Sequence, residues 1–179
     1  YKMVTLKGKQ VFLRAIEPED LEFIHDIEND EQIWYLSQTK VPYSKYVIKQ
    51  YLESAQSDLF ETKQLRLVIS NFKSESIGLI DLFDFDFFNK RAGLGILIKE
   101  PKDRKKGFGT EALELLINYC FLHLQLHQIY CNVSEDNDAS LKLFLNAGFK
   151  KVGLKQDWTF KNNTFNNEYL LQLINPNVL

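Results

Sequence analysis

Only two cysteines occur in 179 residues, Cys120 and Cys131, and they form no CxxC pair. Both lie in apolar segments and read as buried free thiols in a reducing compartment. No apolar run reaches the ~20 residues a membrane span requires. No secretory leader pattern is expected at the start, so the expected location is cytoplasmic, with no membrane partner. Charge of one sign is also scarce. A formal net charge of -2 provides no global basic field, and nucleic acid is not an expected partner. There are only three histidines. His123 and His127 stand four apart, but they straddle the expected end of a helix with no third ligand near, so no metal is expected. No linker, repeat or low-complexity tract interrupts the chain, and one domain over residues 1–179 is the expectation.

What is present is ordinary for a globular chain, with 45% hydrophobic and 26% charged residues. The 14 Phe suggest a large aromatic core or an apolar binding slot. Residues 11–16 read as a first strand. Glu17-Pro18-Glu19-Asp20 opens a helix striped by Leu21, Ile24 and Ile27. A second helix starts near Ser44 and carries Val47, Ile48, Tyr51, Leu52 and Ala55. Segments 65–69, 77–86 and 91–99 read as an antiparallel meander. Residues 110–123 form a helix that is apolar nearly all round. A strand at 129–134 precedes a short helix capped by Asn137 or Asp138 and ended by Gly148. Two strands, 149–160 and 168–173, close the chain through a turn at Asn162-Asn163. The order β α α β β β α β α β β predicts an α/β (α+β) mixed, mostly antiparallel sheet with helices on both faces.

The most informative stretch is Asp103-Arg104-Lys105-Lys106-Gly107-Phe108-Gly109-Thr110-Glu111. A basic run narrows into two glycines and opens into an apolar helix. The glycines permit close backbone approach, and the helix start leaves N–H groups unpaired at the positive end of its dipole. Such a site suits a phosphate or pyrophosphate. A Walker A loop fails, because Lys105 and Lys106 precede the glycines. A Rossmann fingerprint fails for want of a third glycine, and Gly93-Leu94-Gly95 runs on inside a strand. The remaining pattern is Arg-x-x-Gly-x-Gly, formed by Arg104, Gly107 and Gly109.

That pattern resembles the acetyl-CoA pyrophosphate loop of the GNAT superfamily of N-acetyltransferases. Residues 92–149 resemble the superfamily's core throughout, ending in Leu-x-Leu-Phe-x-x-x-Gly-Phe from Leu141 to Phe149. Residues 12–21, Ile77-Gly78-Leu79-Ile80-Asp81 and Trp158-Thr159-Phe160 extend the likeness. The first two resemble the family's opening strand and helix and its third strand, and Trp158-Thr159-Phe160 with the last strand resembles the tail of the ribosomal-protein and bacterial spermidine N-acetyltransferase branch. The resemblance implies that backbone N–H groups of Lys105, Lys106, Gly107, Phe108, Gly109 and Thr110 hold the pyrophosphate, with charge from Arg104. It also implies that the main chain of Gly95, Ile96, Leu97 and Ile98 pairs with the pantetheine arm, and that Asn137 hydrogen-bonds that arm or simply caps its helix. A backbone N–H near Leu97 becomes the oxyanion donor.

The chain departs from the pattern where protons are handled. Phe144 stands beside the cofactor where a thiolate-protonating Tyr is common, and a phenyl ring has no proton to give. Gly93 replaces an acid often found on the central strand. Tyr130 is one substitute acid, or a strand Tyr packed on the sheet. Asp84 or Asp81 is the expected water-mediated base. Their opposite strand parity allows only one of them on the ligand face. His25 reads as a partly buried surface residue. The acidic run from Asp20 to Glu31 either attracts a cationic amine or forms a solvated face, and Trp34 and Tyr35 line an acceptor slot or staple the loop to the core.

The reading is therefore transfer of acetyl from acetyl-CoA to a primary amine: a polyamine, a protein N-terminus or an amino metabolite. The alternative is a non-catalytic acyl-CoA sensor, suggested by Phe144 and Gly93. A homodimer through exposed strand edges is compatible with the pattern.

Overall fold

Strand boundaries follow the apolar alternation closely. A computed structural model of the chain describes residues 4–32, 41–54 and 59–177. Trp34, Tyr35 and Ala55 lie outside the described residues. The strands are β1 (Val11–Ala15), β2 (Leu65–Asn71), β3 (Ser76–Asp86), β4 (Arg91–Ile98), β5 (Gln128–Ser134), β6 (Lys150–Lys161) and β7 (Thr164–Ile174). The helices are α1 (Leu21–Glu28), α2 (Lys45–Ser54), the single turn α3 (Leu59–Thr62), α4 (Phe108–Asn118) and α5 (Asp138–Asn146).

The strands form one sheet in the order β1-β2-β3-β4-β5-β7-β6. Every neighbouring pair is antiparallel except β4–β5, which α4 connects as a crossover. Alternation divides the apolar residues between two faces. Leu67, Ile69, Ile80 and Leu82 pack with Ala112, Leu113 and Leu116 of α4 and with Leu141 and Phe144 of α5. Val68 and Leu79, one residue out of phase, pack with Ile24 and Ile27 of α1 and Ile48 and Leu52 of α2. Helices thus cover both faces, as the element order predicts.

Local chemistry fixes the boundaries. Asn162 and Asn163 adopt φ of 52° and 58°, the left-handed pair that closes a two-residue hairpin between β6 and β7. Gly148, at φ 102°, ends α5. α4 starts at Phe108 rather than Thr110, because Gly107 at φ 84° already serves as its N-cap. Its far end loosens into a π turn over Tyr119–His123, where the Leu124 N–H reaches back to Tyr119 O.

Asp20, at the head of the acidic run read as either an amine attractor or a solvated face, belongs to no solvated face. It is 5% exposed, and both its oxygens accept from Arg14, at 2.8 Å each. The Glu17 N–H also donates to it at 2.8 Å. Burial alone would raise the Asp20 pKa, but the bonds from Arg14 and Glu17 hold it below the ordinary carboxylate value. A depressed folded pKa stabilises above the unfolded value and loses that stability as pH falls through the folded one. Asp20→Ala is therefore expected to cost about 3 kcal/mol at neutral pH, since it strands Arg14. The gap to wild type should shrink as both are titrated below pH ~4 in denaturant melts.

Candidate functional site

The central parallel pair is short. β4 and β5 pair only at Arg91↔Gln128, Ala92↔Ile129 and Gly93↔Tyr130. β4 then runs on to Ile98 and β5 to Ser134 without pairing to each other. From Leu94 onward, β4 keeps β3 on one side, and on the other its main-chain groups face no strand among the described residues. An extended ligand can add there as a strand would. A cavity of ≈ 680 Å³ lies at this opening. Ile96, Leu97 and Ile98 form its β4 wall, and Asn137, Ser140 and Leu143 of the α5 region form the opposite one.

The glycine loop closes one end of this cavity through Arg104, Lys105, Gly107, Gly109 and Thr110. Lys105 (φ 61°) and Gly107 (φ 84°) are left-handed and turn the chain tightly into α4. No side chain caps that helix, so its first N–H groups and its positive dipole end point at the cavity mouth. Arg104 lies back on β4, its Nε and Nη2 donating to Ile98 O at 3.4 and 3.3 Å. Gly109 lines the cavity between β4 and α5. A Cβ there would stand 3.7 Å from Ile96 Cδ1 and 3.8 Å from Leu143 Cδ2. Asn137 Oδ1 accepts from Ser140 N at 3.2 Å as the α5 cap, which leaves its amide N–H₂ for the cavity. Lys106 and Phe108 belong to the loop without lining the cavity. Phe144, expected beside the cofactor, is 3% exposed and sits edge-on to Phe149 at 5.2 Å, within the core. Its apolar ring gains more from the core than from a polar cleft.

The two candidate bases separate cleanly. Asp81 Oδ1 lies 3.3 Å from where a Cβ would stand on Gly95, so its carboxylate rests over β4. It lines a second cavity of ≈ 800 Å³ at the ends of β1, β2 and β3, together with Glu17, Tyr51, Arg66 and Phe83. Burial raises the Asp81 pKa above the ordinary carboxylate value. Arg66 opposes that shift and Glu28 adds to it. Arg66 is cross-strand from Asp81, donates to Glu28 Oε1 at 3.1 Å and stacks 5.9 Å from the centre of the Tyr51 ring.

Asp84 is exposed at φ 48°, inside a register shift between Phe83 and Asp86. This bulge breaks the alternation, so strand parity does not decide between the two acids. Of the two, Asp81 lines the second cavity and Asp84 does not.

Gly93 has a structural reason. A Cβ at this position would overlap the Phe83 ring. That ring in turn meets Tyr130 edge-on at 6.0 Å. Burial first, then the Asp84 charge, raises the Tyr130 pKa, so its hydroxyl stays protonated at neutral pH. Gly93→Glu is accordingly expected to destabilise by roughly 2 kcal/mol through overpacking. In thermal melts the double variant with Phe83→Ala should be more stable than Gly93→Glu combined with an unrelated core truncation.

His25 stands 3.9 Å from Asp26, and His123 stacks on Tyr119. Among the described residues no three His, Cys, Asp or Glu side chains converge on a metal position. Arg66 was not legible as part of the site. The only sequence signal is a charge inside the apolar run Leu65-Arg66-Leu67.

The chain's relatives agree with this geometry. The family model described as an acetyltransferase (GNAT) domain matches residues 10–150. A spermidine N(1)-acetyltransferase of Vibrio cholerae is 28% identical over 149 residues, covering 82% of each chain. One from Escherichia coli (strain K12) is 26% identical over 160 residues, covering 88% of this chain and 82% of its own. A solved spermidine N-acetyltransferase from Vibrio cholerae, in complex with CoA and spermine, superposes with a TM-score of 0.83. It shows 25% identity and covers 94% of this chain and 97% of its own. A dodecameric form of the Vibrio cholerae enzyme superposes with a TM-score of 0.78 at 26% identity, covering 94% and 95%. With its family model matched over residues 10–150, the chain belongs to the GNAT acetyltransferase family and is an acetyl-CoA-dependent acyltransferase.

Proposed function

We propose that the protein acetylates a primary amine, with a polyamine as the first acceptor to test, by direct attack in a ternary complex. The observation that carries this reading is the opening between β4 and β5 with the glycine loop at its end, together with Asp81, which lines the second cavity and lies over Gly95 of β4. Acetyl-CoA lies along Ile96, Leu97 and Ile98. Its pyrophosphate rests on the N–H groups from Lys105 to Thr110, near Arg104, and its arm lies within reach of the Asn137 amide. The acceptor arrives through the second cavity. The polyamine choice is supported by the relatives named for spermidine.

A free alkyl amine has a pKa of ~10 and must lose its proton before it attacks. Asp81 takes that proton through water. The amine nitrogen then bonds to the thioester carbon, and an N–H on the open edge of β4, that of Ile96 or Ile98, holds the oxyanion. The expected Leu97 donor is turned away, since its register with Leu79 points its N–H at β3. The nitrogen gives up its second proton to solvent as the carbonyl re-forms and the C–S bond breaks. The departing thiolate, of pKa ~8.5, leaves without a protein acid and takes its proton from solvent, so Phe144 is no obstacle. Asp84 and Tyr130 have no required role in this scheme.

The test is calorimetry with CoA, followed by a free-thiol assay of acetyl-CoA with spermidine, spermine, amino-terminal peptides and simple amino metabolites. The reading predicts saturable CoA binding and turnover that depends on an amine. Binding with no turnover on any acceptor would leave only the sensor reading. No binding at all would remove both.

A further inference from the structure

One carboxylate in the first turns of α4 has no part in the scheme above. Glu111 does not line the cofactor cavity. Its Oε1 instead accepts from the Gln10 N–H at 2.8 Å and from the Val11 N–H at 3.0 Å. Both donors stand at the entry to β1, far away in sequence. The turn ahead of β1 is shaped around this oxygen. The Gly8 N–H donates to Val11 O at 2.8 Å, and a Cβ on Gly8 would overlap the Glu111 carboxylate. The same turn also reaches the loop itself, where Gln10 Oε1 lies 3.5 Å from a Cβ position on Gly107.

The electrostatics are informative. An acid near a helix start is favoured by the dipole, which is a reason to find Glu here. It is also like-charged with any phosphate bound at that start. Direct electrostatics would therefore oppose cofactor binding, and any benefit must come through geometry. Two charge-assisted bonds to backbone from a separate strand are a strong clamp on the first turns of a helix whose start no side chain caps.

We propose that Glu111 is a positioning residue. It fixes the start of α4, and with it the glycine loop, against the β1 entry, and so sets acetyl-CoA affinity without touching the cofactor. The proposal rests on the acetyl-CoA reading of that loop. Supporting groups of this kind decide whether a site is held tightly enough to bind.

The experiment measures CoA affinity by calorimetry and melting temperature for the wild type, Glu111→Ala, Glu111→Gln and Gly8→Ala. Gly8→Ala displaces the carboxylate from outside α4, and it decides the matter should Glu111→Ala fail to fold. The expected result is a Kd for CoA raised about tenfold in Glu111→Ala and in Gly8→Ala at temperatures where both are folded. Glu111→Gln, whose amide oxygen still accepts and whose charge is gone, should recover the wild-type Kd or improve on it. A lowered melting temperature with Kd within about twofold of wild type would overturn the proposal and leave Glu111 a purely structural staple. A wild-type protein that does not bind CoA would instead refute the reading of the loop, a separate outcome visible before any variant is made.

Discussion

Gly109→Leu is expected to fold like the wild type and to lose CoA binding. Gly109 lies in the first turn of α4 with no left-handed φ, so a side chain there carries no backbone strain. Its Cβ would meet Ile96 Cδ1 at 3.7 Å, Leu143 Cδ2 at 3.8 Å and Ile98 Cγ1 at 4.0 Å, which are ordinary van der Waals contacts. The protein has room for a methyl group, and Gly109→Ala should be neutral or more stable by roughly 0.5–1 kcal/mol through helix propensity. The longer Leu side chain projects between β4 and α5 into the cleft. The expected loss is at least about a hundredfold in Kd, equivalent to about 3 kcal/mol. Gly107 tests a different property. Its φ of 84° makes any L-residue strained, by about 1 kcal/mol, while the neighbour a Cβ would meet, Gln10 Oε1 at 3.5 Å, is an ordinary contact. Gly107→Ala should therefore weaken binding and stability together, whereas Gly109→Leu separates them. Wild-type affinity in a folded Gly109→Leu protein would show that the cleft is not the cofactor site.

The difference between these two glycines also marks how far the sequence could be read. The Arg104-x-x-Gly107-x-Gly109 pattern located the loop, because it constrains adjacent residues through local backbone chemistry. The Asn162-Asn163 turn, the Asn137 cap and the Gly148 stop were legible for the same reason. The meander over 65–69, 77–86 and 91–99 was legible too, while the division of Leu67, Ile69, Ile80 and Leu82 to one face and Val68 and Leu79 to the other came from the fold.

Features set by non-local packing were not legible. No residue between Gly93 and Leu97 announces that β4 parts from β5 after Gly93. The bulge after Phe83 cancels a parity argument that assumed a regular strand. Gly93 looked like a missing acid. In the fold, the cross-strand Phe83 ring fills its place and leans on Tyr130. Arg66 and Glu111 matter through partners 38 and about 100 positions away, which no local pattern contains.

Asp81→Asn is expected to lower kcat/KM for the amine by roughly 10²–10³, the usual worth of a positioned general base. CoA affinity should stay close to wild type, because Asp81 lines the second cavity rather than the cleft beside the glycine loop. The pH profile gives the sharper test. Activity requires the ionised carboxylate, so kcat/KM must fall as pH drops through the Asp81 pKa. Burial raises that pKa, and Glu28 raises it further against the pull of Arg66. The acid limb therefore lies above the ordinary carboxylate value of 3.8. Asp81→Asn should abolish this limb along with the rate. Arg66→Gln removes the opposing cation and should move the limb to higher pH. The exposed Asp84, on its left-handed bulge, predicts a change of less than about threefold in Asp84→Asn. If Asp84→Asn loses the limb and Asp81→Asn keeps it, the base is on the bulge and the second cavity is not where the amine is deprotonated. With Phe144 in the core and Gly93 covered by Phe83, Asp81 is the side chain that combines a raised pKa, an open cavity and a position over Gly95 on β4. Under the proposed scheme those three properties fit the base's role, since burial raises its pKa above the ordinary carboxylate value while the adjoining cavity leaves room for the water that carries the proton.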